Sequence, residues 1–172
     1  MVVSVGIIFD GREGMNEYKN KVARLSNVEK KSGGLDTALV GADVFIGVGT
    51  ADCLKPEWVS GMAGDPIVFA MANPNPEISL EKAKKTKIKV FGTGRSDYPN
   101  QINNVLVFPG LFRGVLDARA RQITEKMKLA SAEAIAKLVS QKELLKGKII
   151  PDPFDKRVAK AVAKAVTKTV SL

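Results

Sequence analysis

The sequence predicts an α/β fold in which a parallel sheet is flanked by helices and followed by a C-terminal helical arm. Short apolar runs alternate with helix-forming segments through the first part of the 172-residue chain. After Gly114 the apolar runs give way to helical patterns. Strands separated by helices at this spacing form right-handed crossovers in a parallel sheet. We therefore expect a strand-bearing domain at 1–114 and a helical segment at 115–172, packed together as one structural unit.

The strands are predicted from a β-prone opening and from apolar runs too short for helices, at residues 2–9, 43–48, 66–70 and 88–91. Helices are predicted between and after them, at 16–25, 35–40, 55–62, 80–85, 115–139 and 141–145, with a last helix from about Asp155. Several carry start or stop signals. Asn16 is a suitable N-cap, Pro56 suits a first helical turn, and Gly41 suits the residue after a helix end.

The net charge of +9 suggests acidic ligands such as dinucleotides and dicarboxylates, or nucleic acid. The lysines, however, concentrate in the segments 81–89 and 156–168. In the second, basic residues and valines fall on opposite faces of a predicted helix, which is the pattern of a solvated face behind a packed one. Aromatic residues make up only 6% and do not alternate with the basic ones. This composition disfavours nucleic-acid binding.

The composition excludes several kinds of chemistry within this chain. With no histidine, it offers no imidazole base, no Ser-His-Asp triad and no histidine-ligated metal. Cys53 is the single cysteine, so no internal disulfide forms, which fits a reducing, cytoplasmic setting. No apolar run approaches the roughly 18 residues of a membrane span. The acidic residues show no metal-ligand spacing, and no catalytic residue is evident.

Small and amide-bearing residues follow three of the predicted strands. These segments are GVGT at 47–50, ANPN at 72–75 and GTGRS at 92–96. Ligands of open parallel sheets bind at the carboxyl ends of the strands, so the three segments predict one binding edge. Taken singly, each has a structural alternative: Asn73-Pro74 suits a turn, Arg95 with Asp97 a surface ion pair, and Asn103-Asn104 a helix cap.

Several longer segments are distinctive: GREGMN at 11–16, GADVFIGV at 41–48, DPIVFA at 65–70 with ANP at 72–74, TGRSDYPNQINNVLVFPGLFRG at 93–114, DARAR at 117–121, MKLA at 127–130 and IIPDPFD at 149–155. Together they resemble the C-terminal, NAD(P)-binding part of bacterial and archaeal malic enzymes. The likeness covers nearly the whole chain in order. It implies a partial Rossmann-like dinucleotide-binding domain.

By this resemblance the complete enzyme oxidatively decarboxylates L-malate to pyruvate and CO2, with NAD or NADP and with Mg2+ or Mn2+. Asn73 and Asn104 match family residues that contact the nicotinamide side of the cofactor and the substrate. Val48 and Gly49 match a loop that lines the cofactor. Arg12 matches an arginine on the adenosine side. Such amides orient a carboxamide and a carboxylate for hydride transfer.

The chain departs from the family pattern at its start. The glycine-rich pyrophosphate turn is missing, and Val3 stands where many members carry the acidic residue that holds the adenosine ribose. The family's catalytic lysine and tyrosine and its metal ligands lie upstream of the segments present here. We therefore expect a truncated product or one subunit of a split enzyme, working as a homo-oligomer or with a partner chain that carries the catalytic half. The alternative is a non-catalytic remnant that binds a nucleotide or a partner.

Overall fold

The computed structural model describes residue 3 and residues 6–170. Its sheet has three parallel strands in the order β1 (Val44–Gly47), β2 (Ile67–Ala70) and β3 (Val90–Thr93). The strands are in register, so that their last residues, Gly47, Ala70 and Thr93, are neighbours. The predicted α/β architecture with a parallel sheet is confirmed. The third strand lies two residues later than its apolar run indicated.

Eight α-helices are found in the described part of the chain: α1 (Glu17–Ser26), α2 (Leu35–Leu39), α3 (Pro56–Val59), α4 (Leu80–Ala83), α5 (Phe108–Asp117), α6 (Glu125–Ala136), α7 (Gln141–Leu145) and α8 (Lys156–Val170). Their starts follow the local signals of the sequence. Asn16 caps α1 by accepting from the Lys19 amide at 2.9 Å, and Pro56 lies in the first turn of α3. None of the helices in residues 6–170 is long and apolar enough to cross a membrane.

The two faces of the sheet differ in what covers them. On one face Phe45, Val68 and Ala70 are buried in a cluster that also takes residues from the crossover helices α2, α3 and α4. On the opposite face, Ile46 of β1 is 63% exposed and Val44 is 45% exposed. Within the described residues, β1 pairs with β2 alone and is therefore an edge strand. In this part of the chain the sheet is covered on its helix side and uncovered beside β1.

The C-terminal helices form a second apolar cluster, in which α8 packs against both α5 and α6. Val158, Val162 and Val166 of α8 are buried, as the amphipathic pattern predicts. Gly110 and Gly114 of α5 lie directly against this face. A Cβ on Gly114 would come within 2.7 Å of the Ala163 carbonyl oxygen and of the Val166 Cβ. The two helices approach this closely because α5 carries glycine at both contact points.

Asn100 joins the strand-bearing part to the C-terminal segment. Its side-chain amide donates to the carbonyl oxygens of Phe91 on β3 and Gly147, at 3.0 and 2.8 Å. Its side-chain oxygen accepts from the Ile149 amide at 2.9 Å. One side chain thus fixes the loop after α7 against the end of β3.

Two predictions about elements are corrected. The single helix predicted at 115–139 is in fact two helices, because Arg119 adopts a positive φ of 50° and Thr124 begins α6 as its N-cap. Helix α5 starts at Phe108, seven residues before the predicted helix start at 115, with Pro109 in its first turn. The opening strand predicted at 2–9 falls partly outside the described residues. Within them, Val3 and Ile7 form only an isolated antiparallel bridge.

Candidate functional site at the strand ends

The three segments singled out by sequence leave the sheet at one edge. Because Gly47, Ala70 and Thr93 are register partners, the residues that follow them emerge side by side. The Met71 amide donates to the Gly47 carbonyl at 3.0 Å, which extends the pairing of the first two strands by one further bond. All three strand ends therefore meet at one edge of the sheet, as parallel topology requires.

Glu77 ties the first two strand-end loops together. Its side chain is fully buried, and one carboxylate oxygen accepts from the Gly49 amide at 2.8 Å. The other oxygen accepts from the Ala72 amide at 3.0 Å. Its carbonyl oxygen also accepts from the Leu54 amide at 2.9 Å. This one residue thus fixes the backbone beside Val48 and the backbone beside Asn73.

Sequence reasoning missed Glu77. It precedes Ser79, the N-cap of α4, by two residues, so it resembles an acidic residue at a helix start. The signal available in the sequence was the position of Glu77 between two apolar residues, Pro76 and Ile78. All three residues are buried in the structure. A buried carboxylate needs hydrogen-bond partners, and the pattern alone does not show that they come from two different loops.

The predicted ligand-contacting residues of the first two loops are open to solvent. Val48 is 78% exposed, and Gly49 and Asn73 are exposed as well. A Cβ added to Gly49 would meet nothing within 4 Å, so there is free space beside its backbone. The Asn73-Pro74 peptide bond is cis. The loops thus present an amide side chain and small residues on an uncovered surface.

The segment after β3 turns back along the same edge and carries Asn104 with it. The Ile102 amide donates to the Thr93 carbonyl at 2.8 Å, and Gln101 forms a parallel bridge with Thr93. The Asn103 side chain then accepts from the Val105 amide at 2.9 Å and caps a 3-10 helix that starts at Asn104. The two adjacent asparagines differ: Asn103 has the role of a cap, whereas Asn104 is exposed next to the strand end.

Arg95 in the same segment forms an ion pair with Asp97. Its Nε donates to one carboxylate oxygen at 2.8 Å and its Nη2 to the other at 2.7 Å. This pairing raises the pKa of Arg95 and lowers the pKa of Asp97. The guanidinium also lies 4.9 Å from the centre of the Tyr98 ring. The surface ion pair expected from the sequence is therefore present, and it orders the loop rather than leaving a free cation at the site.

Arg12 lies in the N-terminal segment. Its Nη1 donates to the carbonyl oxygens of Gly6 and Ile7 at 2.9 and 3.1 Å, and the side chain is half-buried. The Ile7 amide in turn donates to the Gly33 carbonyl at 2.8 Å. These described bonds join Arg12 to the segment before α1, whereas the other four predicted residues lie on the segments that follow the strands.

The residues at this edge fit a dinucleotide but not a metal ion. Exposed amides beside small residues suit a carboxamide-bearing ligand, because they offer paired donors and acceptors with free space around the Gly49 backbone. In residues 6–170, no three cysteine, aspartate or glutamate side chains lie close enough to hold a metal ion. A divalent ion at this edge would need ligands from another segment or chain.

Two surface grooves occur elsewhere in the molecule. One, of about 500 Å³, lies between α5 and α8 and is lined by basic side chains that include Arg113, Lys160 and Lys164. The other, of about 320 Å³, lies between the 96–101 loop and the 146–153 segment. Val48, Gly49, Asn73 and Asn104 line neither of these two grooves, whereas Ser96 of the segment after β3 lies at the edge of the second.

The fold is that of an α/β domain with a parallel sheet, the class in which ligands bind at the carboxyl ends of the strands. The family model described as "Malic enzyme, NAD binding domain" matches residues 1–171. The chain belongs to the malic enzyme family, through its NAD-binding domain, as the resemblance in its sequence indicated.

Individual relatives agree with this assignment. The bifunctional malic/malolactic enzyme of Bacillus subtilis is 59% identical over 98% of this chain, which covers 41% of that protein. The NAD-dependent malic enzyme of Geobacillus stearothermophilus is 55% identical over 88% of the chain and 31% of its own length. The chain thus spans less than half the length of these relatives.

Solved structures have the same fold. The NAD-dependent malic enzyme of Thermotoga maritima superposes with a TM-score of 0.87 at 44% identity, over 95% of this chain and 43% of that one. The malic enzyme of Entamoeba histolytica superposes with a TM-score of 0.90 at 34% identity, over 99% and 36%. Both structures are considerably longer than the part that matches.

Proposed function

We propose that this chain is the C-terminal NAD(P)-binding portion of a malic enzyme, which oxidatively decarboxylates L-malate to pyruvate and CO2. In this reaction the C2 hydroxyl of malate loses its proton and a hydride passes from C2 to the nicotinamide of NAD or NADP. The carboxylate on C3, which is β to the new C2 carbonyl, is then lost as CO2, and C3 of the resulting enolate takes up a proton to give pyruvate. The observation that carries the proposal is the in-register convergence of three strand ends, which brings the loops of Val48, Gly49, Asn73 and Asn104 to one open edge.

At this edge we assign the two asparagines the role of orienting the cofactor and the substrate. Asn73 and Asn104 are exposed beside the strand ends, where their amides can donate to a malate carboxylate and pair with the nicotinamide carboxamide. Fixing both groups shortens the path for hydride transfer. Val48 and Gly49 provide an apolar and a small surface for the cofactor. Arg12 is assigned to the adenosine side, with its position fixed by the Gly6 and Ile7 carbonyls.

The remaining chemistry is assigned to another segment or chain. When bound, Mg2+ or Mn2+ supplies Lewis-acid polarisation of the substrate oxygen. The exposed side of β1, at Val44 and Ile46, offers a surface and an unpaired strand edge for the part of the enzyme that holds these groups. That part is either the rest of a longer polypeptide or a partner chain, and the assembly is a homo-oligomer or a split enzyme in the cytoplasm.

The same open edge of β1 supports one alternative, a non-catalytic remnant that binds a nucleotide or a partner. In either case, 1–114 and 115–172 belong to one structural unit. The bonds of Asn100 to Phe91, Gly147 and Ile149 support this, since they connect the two parts.

Malate-dependent reduction of NAD+ and NADP+ tests the proposal. It is measured with Mn2+ for the full-length protein recovered from its native cells and for the purified 172-residue chain. We expect turnover by the native protein or its complex and none by the isolated chain. If the native protein binds a dinucleotide but does not oxidise malate, the remnant alternative replaces the enzyme. If it does neither, the assignment fails altogether.

A further inference from the structure

We infer that Glu77 is a positioning residue of the cofactor site, which sets the distance between the loop of Val48-Gly49 and the loop of Asn73. The inference rests on the proposed function, since it assigns a task to a residue outside the predicted contact set. In this account Glu77 contacts neither the cofactor nor the substrate. It acts through the backbone of the residues that do.

The first argument is the division of its two oxygens. Each carboxylate oxygen accepts from a different loop, at 2.8 Å from the Gly49 amide and 3.0 Å from the Ala72 amide. A carboxylate is the side chain that accepts with both of its ends, whereas glutamine must present a donor at one of them. Because the two bonds share one rigid group, movement of either loop is transmitted to the other.

The second argument is burial. Glu77 is fully buried, and the described residues contain no buried side-chain polar atom without a hydrogen-bond partner. The free-energy cost of burying a carboxylate is high unless its bonds are kept, so the loops are held in the one arrangement that keeps both. The carboxylate also occupies the space where a side chain at Gly47 would lie, which explains the glycine at the end of β1.

The bonds of Glu77 also determine which backbone groups are left for a ligand. The Gly49 amide is already committed to Glu77, so it is not available to a phosphate or a carboxylate of a ligand. Gly49 then contributes free space and the path of its backbone, both of which depend on where Glu77 holds it. The ligand-binding geometry of this loop is therefore determined by a residue 28 positions away in sequence.

Glu77→Gln in the full-length protein tests this role, with Glu57→Gln on the exposed surface of α3 as the matched control. In Glu77→Gln one hydrogen bond to a charged group is lost. We therefore expect the KM for NAD(P)+ to rise roughly 10- to 100-fold, and kcat to change less than about threefold. A merely structural role would lower the amount of folded enzyme and hence the apparent kcat, and would leave the KM unchanged. An unchanged KM in folded Glu77→Gln overturns the inference.

Amide hydrogen exchange of the wild type decides the matter if Glu77→Gln does not fold. The amides of Gly49 and Ala72 should exchange about as slowly as those within β2, and more slowly still when NAD(P)+ is added. Exchange at the rate of a solvent-exposed loop would contradict the positioning role. A wild type that binds no dinucleotide refutes the proposed function instead, and the two failures are thereby distinguished.

Discussion

Gly47 and Glu77 occupy adjoining space at the end of β1. A Cβ built on Gly47 would lie 2.5 Å from the carboxyl carbon of Glu77 and 2.8 Å from the Phe45 ring. The strand can therefore reach the binding edge beside this carboxylate only if it ends in glycine. The end of the strand, the buried acid and the two loops that it joins form one packed arrangement.

Gly47→Ala tests this packing. The added methyl group must displace a buried carboxylate that is fixed by two loops, so we expect a loss of roughly 1–3 kcal/mol in the free energy of unfolding. Urea denaturation of the variant and the wild type measures it. Gly64→Ala is the control, since a Cβ there meets nothing within 4 Å. Equal stability of the two variants would mean that the space around Glu77 is not as tight as described.

Gly114→Ala tests the contact between α5 and α8. Within a helix this substitution normally stabilises a protein by about 0.5–1 kcal/mol. Here we expect the opposite sign, because the methyl group would clash with the Ala163 carbonyl and the Val166 side chain. Thermal unfolding measures the effect, and Leu116→Ala is the control, because Leu116 of α5 is 73% exposed. A higher melting temperature for Gly114→Ala would contradict the observed helix spacing.

The adjacent asparagines should separate stability from function. Asn103→Ala removes the cap on the Val105 amide, and we expect it to cost about 0.5–2 kcal/mol of stability. Asn104→Ala in the complete enzyme should leave stability within about 0.5 kcal/mol, because the side chain is exposed. It should lower kcat/KM by a factor equivalent to roughly 1.5–3 kcal/mol. Denaturation and steady-state kinetics on both variants measure this, and an unchanged kcat/KM in Asn104→Ala would refute its assignment.

The C-terminal segment should lose stability in acid through Glu143. Bonds from Lys148 and from Ser140 lower the pKa of its carboxyl from 4.5 to about 2. Because the pKa of Glu143 is lowered in the folded state, its bonds contribute stability that is fully present above pH 4.5. This contribution is lost as the pH falls through about 2. Glu143→Gln should therefore melt below the wild type at pH 6, and the difference should shrink across that window.

Lys142→Gln, on the same helix, is the control for this pH dependence, because the structure assigns Lys142 no part in the bonds that hold Glu143. A difference in melting temperature between wild type and Glu143→Gln that stayed constant from pH 6 to pH 2 would show that the carboxylate bonds are not its source.

The sheet and the meeting of its strand ends at one edge were predictable because the relevant signals are local. Apolar runs too short for helices mark the strands, and parallel topology then requires their ends to meet. Helix α5 was not predictable in this way, because Gly110, Gly114 and Pro109 are typical of a loop. Both glycines are in fact required by the contact with α8, which lies about fifty residues further along the chain.

Two other features depend on tertiary context. The break before α6 contains no glycine or proline, and its positive φ falls on Arg119, so the N-cap Thr124 is the one local signal that marks it. Glu77 is recognisable as unusual only when Gly49 and Ala72 are both in place around it. Side chains that join distant loops are invisible to periodicity, because their partners have no fixed spacing in sequence.

The most direct test of the central claim is a crystal structure of the full-length protein with NAD(P)+ and malate bound. We predict that the nicotinamide half of the cofactor lies at the strand-end edge, in contact with the loops of Val48-Gly49, Asn73 and Asn104. A dinucleotide bound away from these loops, for example in the basic groove between α5 and α8, would contradict the account.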